Sequence, residues 1–501
     1  MNCCATSVPH HGSFEALPKA VAAWQERLQA GLSRSIQASD QTMGHLEEEI
    51  LHRTRDLERA VLEEAAQKKA DQAPPTCPVC GNKLSRVTQG HERSYQTRFG
   101  VVRIRRLRGW CRRCKCWRFP ADDLLGLAEA GSCSPGVQEM AALAASKLPV
   151  GEASAVIERL TGVKLPRATL DREARRQGRK AEGKRQQMDQ QMSQGGGAAQ
   201  PVPELRLKPA VEPFTLVIEL DAWNIRERNE EQWGRTQALR QRGEEPEWWH
   251  WVYGGTCFRL SQRVEKSGGR SVILSRGTVM TRGGTDALKQ QLWAEAMRQG
   301  LAQAQDVLVI ADAAVWIWNL VGDRFAGARQ RLDPWHALQH LWAVAHALHP
   351  EDEAAAAAWI KPLKDKLLES QAAEVIDELD SVIKSLRGSR RETVRAQRNY
   401  LENNRERLDY RGAEARGEPL GSGAMESTCK QYQVRFHRSG QFWAAVGDEA
   451  LMCVETFWRN GCWSLLFPQV PSILTPPEIE IITAQAFARP TLRLDQCVFD
   501  A

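Results

Sequence analysis

The sequence predicts a multidomain α/β protein in which small modules precede an α/β domain that carries the chemistry. Three observations support this. Two C-x2-C pairs bracket a short basic segment, a Gln-, Gly- and Pro-rich stretch divides the chain, and strand-length apolar runs then alternate with helical patterns. At 501 residues the chain is too long for one modest core. Its 42% apolar and 26% charged residues are those of a globular protein, and a formal charge of +6 is mild, so placement of charge matters more than its sum. No basic leader runs into an apolar signal segment, and no run of about eighteen apolar residues occurs. A soluble cytoplasmic protein with no membrane partner is the expectation.

Residues 1–70 are polar and helical in pattern. Within MGHLEEEILHRTRDLERAVLEEAAQKKA, Leu46, Ile50, Leu51, Leu57, Val61 and Leu62 form a thin apolar stripe that can pack on a partner helix. The stripe is too short and irregular for a coiled coil.

Residues 71–125 form a cysteine-bounded unit. Five of the thirteen cysteines crowd into positions 77 to 116, and the count is odd, which favours metal binding in a reducing compartment over a disulfide scaffold. Cys77 and Cys80 bracket PV, Cys111 and Cys114 bracket RR, and thirty residues separate the pairs. Such knuckles place four thiolates on a tetrahedron that suits zinc. YQTRF and VVRIRRLRGW read as strands joined at Gly100, so the unit reads as a zinc ribbon whose metal supplies much of its folding energy. All-Cys ligation leaves no position open for water, so the zinc is structural. Cys116 in place of Cys114 is the alternative register.

The ribbon is also basic, with twelve Lys or Arg from Lys83 to Arg118 against one acid, Glu92. That density suggests a polyanion, with Arg103, Arg105, Arg106, Arg108, Arg112 and Arg113 as phosphate contacts.

Residues 134–185 have the rhythm of a helix-turn-helix. One helix starts after Ser134-Pro135, a second spans about Glu152 to Leu160, and a third begins near Arg167. On DNA, Arg172, Arg175, Arg176, Arg179 and Lys180 would lie along the duplex, with Arg167 or Thr169 near base edges. A plain trihelical packing unit fits the pattern too. Residues 186–212 read as the linker.

Beyond it, FTLVIELD, WWHWVYGGTCFRLS, SVILSRGTVM, DVLVIAD and RFAGARQRLD read as strands, TDALKQQLWAEAMRQG as a helix, and residues 334 to 410 as nearly all helix. Three carboxylates stand out. Asp221 ends the first strand, Asp312 ends another 91 residues later, and Glu426 lies 114 residues beyond that in LGSGAMESTCK, in the first turn of a helix. Acids at one end of adjacent strands, with a third from a neighbouring helix, can hold two divalent ions for in-line phosphoryl transfer. Strand-end acids also commonly cap a helix or pair with an arginine.

With these residues in view, the chain resembles the DDE-type transposases of bacterial insertion sequences, specifically the Kra-type group with a cysteine-rich amino-terminal region. The likeness runs from about Cys77 to Trp463. It rests on Asp221 after its strand, the stretch around Asp312, LDPWHALQHL, GSGAMES with Glu426, and RFHRSGQFW. It implies a ribonuclease H-like catalytic domain over 213–336 and 416–465, a helical insertion over 337–415, and a carboxy-terminal tail over 466–501. Asp221, Asp312 and Glu426 become ligands for two Mg²⁺ or Mn²⁺ ions, and the activity is strand cleavage and strand transfer at transposon ends by a homo-oligomer on double-stranded DNA. A catalytically inactive transposase-derived DNA-binding protein, or a nuclease without strand joining, are the alternatives. The chain carries Ala222 and Ala313 where that group commonly has glycine, and an alanine removes positive-φ freedom.

Around the acids, Asp333 either sits beside the site or caps the helix that Pro334 opens. His336 and His340 share ligand spacing but lack the Glu of HExxH, so they read as core or DNA-facing histidines. Lys430, Arg435 and Arg438 suit phosphate contacts, while Phe436, Phe442 and Trp443 read as core.

Overall fold

The computed structural model describes residues 16–37, 40–127, 131–194, 212–227, 238, 241–243, 249–265, 271–444 and 447–468. The tail beyond 468, Trp248 and most of the Gly- and Pro-rich stretch lie outside those residues. The chain divides into two compact units, Met1–Gln177 with Phe467–Pro471, and Gly178–Leu466 with Ser472–Ala501. Among the described residues no helix is long and apolar enough to cross a membrane.

In the first unit, helices Ala16–Gln37 and Met43–Asp71 precede a three-stranded sheet in the order β1 (Ser85–Thr97), β2 (Gly100–Cys111), β3 (Cys116–Arg118). The hairpin turns at Gly100, whose φ of +116° suits glycine. β3 pairs with β2 only at Gly109–Cys111, which leaves the rest of that edge of β2 open. The helix Met43–Asp71 closes it. The Glu63 carboxylate accepts from the Arg103 N–H, and the Gln67 amide both accepts from the Arg105 N–H and donates to its carbonyl. Leu62 and Ala66 pack on Tyr95, Val102 and Ile104, so this end of the apolar stripe is spent within the chain. Ile50 and Leu51 stay exposed.

Helices Pro135–Lys147, Val150–Thr161 and Arg167–Gln194 follow. Pro135 opens the first, and Gly162 closes the second at φ +63°. The third starts where expected but continues to Gln194, so the linker assigned to 186–212 is helical in its first part. Its sequence is rich in Gln, Met, Lys and Arg, all good helix formers. The second unit begins within this helix, at Gly178.

The second unit is built on a five-stranded sheet in the order β10 (Arg329–Leu332), β9 (Asp306–Ala311), β4 (Thr215–Arg226), β5 (Trp249–Arg259), β8 (Gly277–Thr281). β4, β5 and β8 run antiparallel, while β9 is parallel to β4 and β10 to β9. Helices Gly284–Arg298 and Val315–Arg324 carry the two crossovers between β8 and β10. SVILSRGTVM splits in two, with Ser271–Ile273 (β7) pairing β6 (Arg263–Glu265) and Gly277–Thr281 joining the main sheet.

Alternation along β4 sorts the sheet's faces. Leu216, Ile218 and Leu220 face the core that holds Leu288, Leu292, Ile317 and Leu320. Val217 faces the other way, with Phe258, Leu308, Ile310 and Ala424. Between β10 and the helix Gly423–Phe436 the chain makes a helical excursion, Pro334–Leu348, Glu353–Leu368, Ala372–Ser385, Gly388–Asn403 and Tyr410–Ala415, around a core of its own.

Candidate functional site

Two sites emerge, one in each unit. In the first, Cys77 and Cys80 flank a turn closed by the Gly81 N–H on the Cys77 carbonyl, and Cys111 ends β2 with Cys114 in the next turn. The four Sγ atoms lie within 4.8 Å of one another, and no other group of three or more ligand side chains among the described residues is so close. This set can hold a metal ion and is consistent with a structural zinc site. Burial opposes the Cys77 thiolate, but the Cys80 and Val79 amides and the neighbouring thiols outweigh it and bring its pKa down to about 6. Cys114 is pushed up to about 12, chiefly by its hydrogen bonds to Cys80 and Cys111. Thiols so close cannot all ionise without a cation among them. Cys116 pairs with Cys111 across the strands and stands outside the set.

The basic residues sort by partner. Arg103, Arg105, Arg112 and Arg113 are exposed on the ribbon. Arg108 lays its guanidinium 3.9 Å from the Trp117 ring centroid. Arg106 is not a surface contact: it is buried, ion-paired with Asp122, and stacked 4.2 Å over Phe119. On the long helix Arg167, Arg172 and Arg179 are exposed, Thr169 is half-buried, Arg175 pairs with Asp171, and Arg176 is tied to buried Glu173. Arg438 is exposed, whereas Arg435 is buried 4.6 Å over Trp443 and is withdrawn from solvent like Arg106. Phe436 and Trp443 are core, as expected.

The acidic site lies in the second unit, on the sheet face that meets the helix Gly423–Phe436. The parallel register of β4 and β9 ends at Glu219 opposite Ile310. Two residues further on stand Asp221 and Asp312, at the same edge and on the same face. Each is oriented by a nearby amide: Asp221 Oδ1 accepts from the Ala222 N–H at 2.7 Å, and Asp312 Oδ1 from the Ala314 N–H at 2.9 Å. Burial raises the Asp221 pKa, and the charge of Asp312 adds to that. Neither Ala222 nor Ala313 has a positive φ, so the missing glycines cost no backbone strain.

Glu426 sits in the first turn of its helix, exposed, with Oε1 2.7 Å from Lys430 Nζ. One turn later on that helix stands buried Cys429, whose thiol pKa is pushed up by burial and by the charges of Asp221 and Glu426. The third acid thus stands at the rim of the pair, turned to Lys430, and the three carboxylates do not close up as the four thiols do.

Several supporting groups escaped sequence reading. Glu219, two residues before Asp221 and on the same face, is buried and accepts from the Met425 N–H at 2.7 Å, anchoring the helix that carries Glu426. Its period-2 spacing from Asp221 was the available signal. Gly254, paired with Asp221, allows that helix close approach, since a Cβ there would lie 2.3 Å from Met425 Cε. Asp333 does cap its helix through the Trp335 N–H, and its second oxygen also holds the Ser422 N–H and hydroxyl just before Glu426's helix. His336 faces the acids closely enough to favour the charged form of Asp221, whereas His340 is half-buried among insertion residues. In β5, Trp249 and Trp251 are half exposed, and Tyr253 packs edge-on against Trp316.

No family model matches this chain. No curated protein matches it either.

Burial of Glu219 pushes its pKa from 4.5 up to about 8, so the fold favours the neutral carboxyl. That contribution to stability is fully present below about 4.5 and is lost as the pH rises through about 8. Glu219→Gln should therefore flatten the dependence of Tm on pH between those limits, by a few degrees at the alkaline end. Parallel wild-type and variant profiles in thermal melts would rule this out.

Proposed function

We propose that the chain is a DDE-type DNA transposase whose second unit is a ribonuclease H-like domain carrying a helical insertion. The observation that carries this reading is that Asp221 and Asp312 each stand two residues beyond the last aligned pair of the adjacent parallel strands β4 and β9, facing the helix whose first turn holds Glu426. The helical excursion between the second and third acids agrees with it. Two carboxylates each held by one amide, with the ionisation of Asp221 opposed by burial and by the charge of Asp312, suit Mg²⁺ or Mn²⁺. When bound, such ions activate a water or a 3′ hydroxyl and stabilise the leaving oxygen.

The chain's own residues supply orientation. Asp221 and Asp312 are aimed by their turns, and Glu426 would exchange Lys430 for the site, leaving that ammonium to a backbone phosphate. The cysteine unit, with zinc, and the helix-turn-helix would grip the DNA ends through Arg103, Arg105, Arg112, Arg113, Arg167, Arg172 and Arg179, in a homo-oligomer. One observation favours a second reading, a DNA-binding protein that no longer cuts: Glu426 is already engaged by Lys430.

The test is cleavage and strand transfer on DNA carrying the element's own ends. Both should require Mg²⁺ or Mn²⁺ and vanish in Asp312→Asn. Binding without cleavage would select the second reading, and cleavage without joining a nuclease.

A further inference from the structure

We propose that Asp333 is a positioning residue that sets the third acid, Glu426, against the second, Asp312. This rests on the acid-site reading above. Asp333 directly follows β10, and its N–H donates to the Ala311 carbonyl at 2.9 Å. Ala311 ends β9 and immediately precedes Asp312. The Asp333 side chain is buried, and its Oδ2 accepts from both the N–H and the hydroxyl of Ser422, at 2.7 and 2.8 Å. Ser422 opens the helix whose first turn holds Glu426. One residue therefore joins the end of the second acid's strand to the start of the third acid's helix.

This arrangement does more than end a helix. A serine at a helix start ordinarily turns its oxygen on the helix's own amides, yet Ser422 makes no such bond and donates outward to Asp333. Gly421 leaves room for it, since a Cβ there would lie 2.8 Å from Asp333 Oδ2. Glu219, from the first acid's strand, accepts from the Met425 N–H at 2.7 Å. The first turn is thus pinned to each acid-bearing strand through one buried carboxyl group, and Arg276 adds a bond to the Ala424 carbonyl at 3.1 Å. Glu426 is exposed on a long, rotatable side chain, so the reach of its carboxylate depends on where that turn stands. Groups that orient a metal ligand commonly change metal affinity by about 10–100-fold when removed.

Asparagine has one acceptor oxygen where Asp333 uses two, and it caps helices well. Asp333→Asn should therefore keep the bond from the Trp335 N–H and release Ser422. In the full-length protein without added metal, amide exchange across residues 422–427 should quicken about tenfold or more. Mn²⁺ binding, followed by electron paramagnetic resonance, should weaken about 10–100-fold, and kcat should fall with KM for DNA unchanged. Ser422→Ala, which leaves Asp333 and its cap in place, should move the same quantities less. Ser422→Thr, which restores the hydroxyl, should return them towards wild type. Wild-type exchange and Mn²⁺ binding in both Asp333→Asn and Ser422→Ala, even with a lowered Tm, would reduce Asp333 to a helix cap and overturn the proposal. Mn²⁺ binding kept in Glu426→Gln but lost in Asp312→Asn would overturn it too. Failure of the acid-site reading has a different signature: Asp312→Asn itself would bind Mn²⁺ like the wild type, and the proposal would fall with it.

Discussion

Stripping metal from the four cysteines should unfold the knuckle end of the first unit while the five-stranded sheet stays intact. The apolar material at that end is slight: Cys77, Leu84 and Cys111, bordered by Leu107. Gly109 faces Leu84 so closely that a Cβ would stand 2.6 Å from it, so the packing has no room to be improved by larger side chains. A structural zinc ion binds such a set with about 10–16 kcal/mol, and this energy is folding energy where the site does not pre-exist. The far end of the hairpin has its own cluster around Tyr95, Val102 and Ile104 and should persist. Hydrogen exchange before and after chelation reads this directly: protection should be lost at Thr76–Leu84 and Gly109–Arg118 and retained at Tyr95–Ile104. Cys111→Ser should behave like the chelated protein. A protein that purifies without metal and is indifferent to chelator would contradict the assignment.

The second large effect is expected at Glu418. This carboxylate is buried and takes the guanidinium groups of Arg329, Arg331 and Arg416, while Arg331 also donates to the Pro419 carbonyl at 2.8 Å. Arg329 and Arg331 alternate along β10, so one carboxylate fastens the chain's return from the insertion to the edge of the sheet. The three guanidinium groups overcome burial and depress its pKa to about 2. Glu418→Ala leaves Arg331, itself 3% exposed, as a buried cation with its ion pair gone. Breaking a buried pair by removing one partner costs about 3–5 kcal/mol, and the loss should appear in denaturant unfolding as a lower midpoint. Because the folded pKa lies below the ordinary one, this stabilisation is present above about 4.5 and lost as the pH falls towards about 2. The variant should therefore lose its disadvantage in strong acid. A loss below about 1 kcal/mol at neutral pH would mean the network is surface-like.

Much of this was legible in the sequence because it is written in short periods. Apolar runs lead into Asp221 and Asp312, although β4 continues past Asp221 to Arg226, and the two C-x2-C pairs meet in space as their spacing requires. What could not be read is pairing across distance. Nothing local says that β9, which leads into Asp312 91 residues after Asp221, lies beside β4 in the register that aligns the acids. Arginine roles failed for the same reason. Arg106 and Arg435 look like their exposed neighbours, and only Asp122 and Trp443, brought in by the fold, turn them inward. The Gln-rich stretch reads as a linker because its polar composition hides its packing.

That last helix carries a practical consequence for dissecting the protein. Its second half belongs to the sheet-bearing unit: Gly178 lies where a Cβ would stand 2.5 Å from that of Ala450, Arg185 pairs with Glu449, and Asp189 pairs with Arg298. A fragment begun at the apparent boundary near residue 213 would strip away those partners. It would leave Arg298 with Glu295 alone and Glu449 short of a cation, in a fragment prone to precipitate. Expression of the acid-bearing half on its own should start upstream of Gly178, and failure of shorter pieces would reflect where they were cut, not an inability of that half to fold.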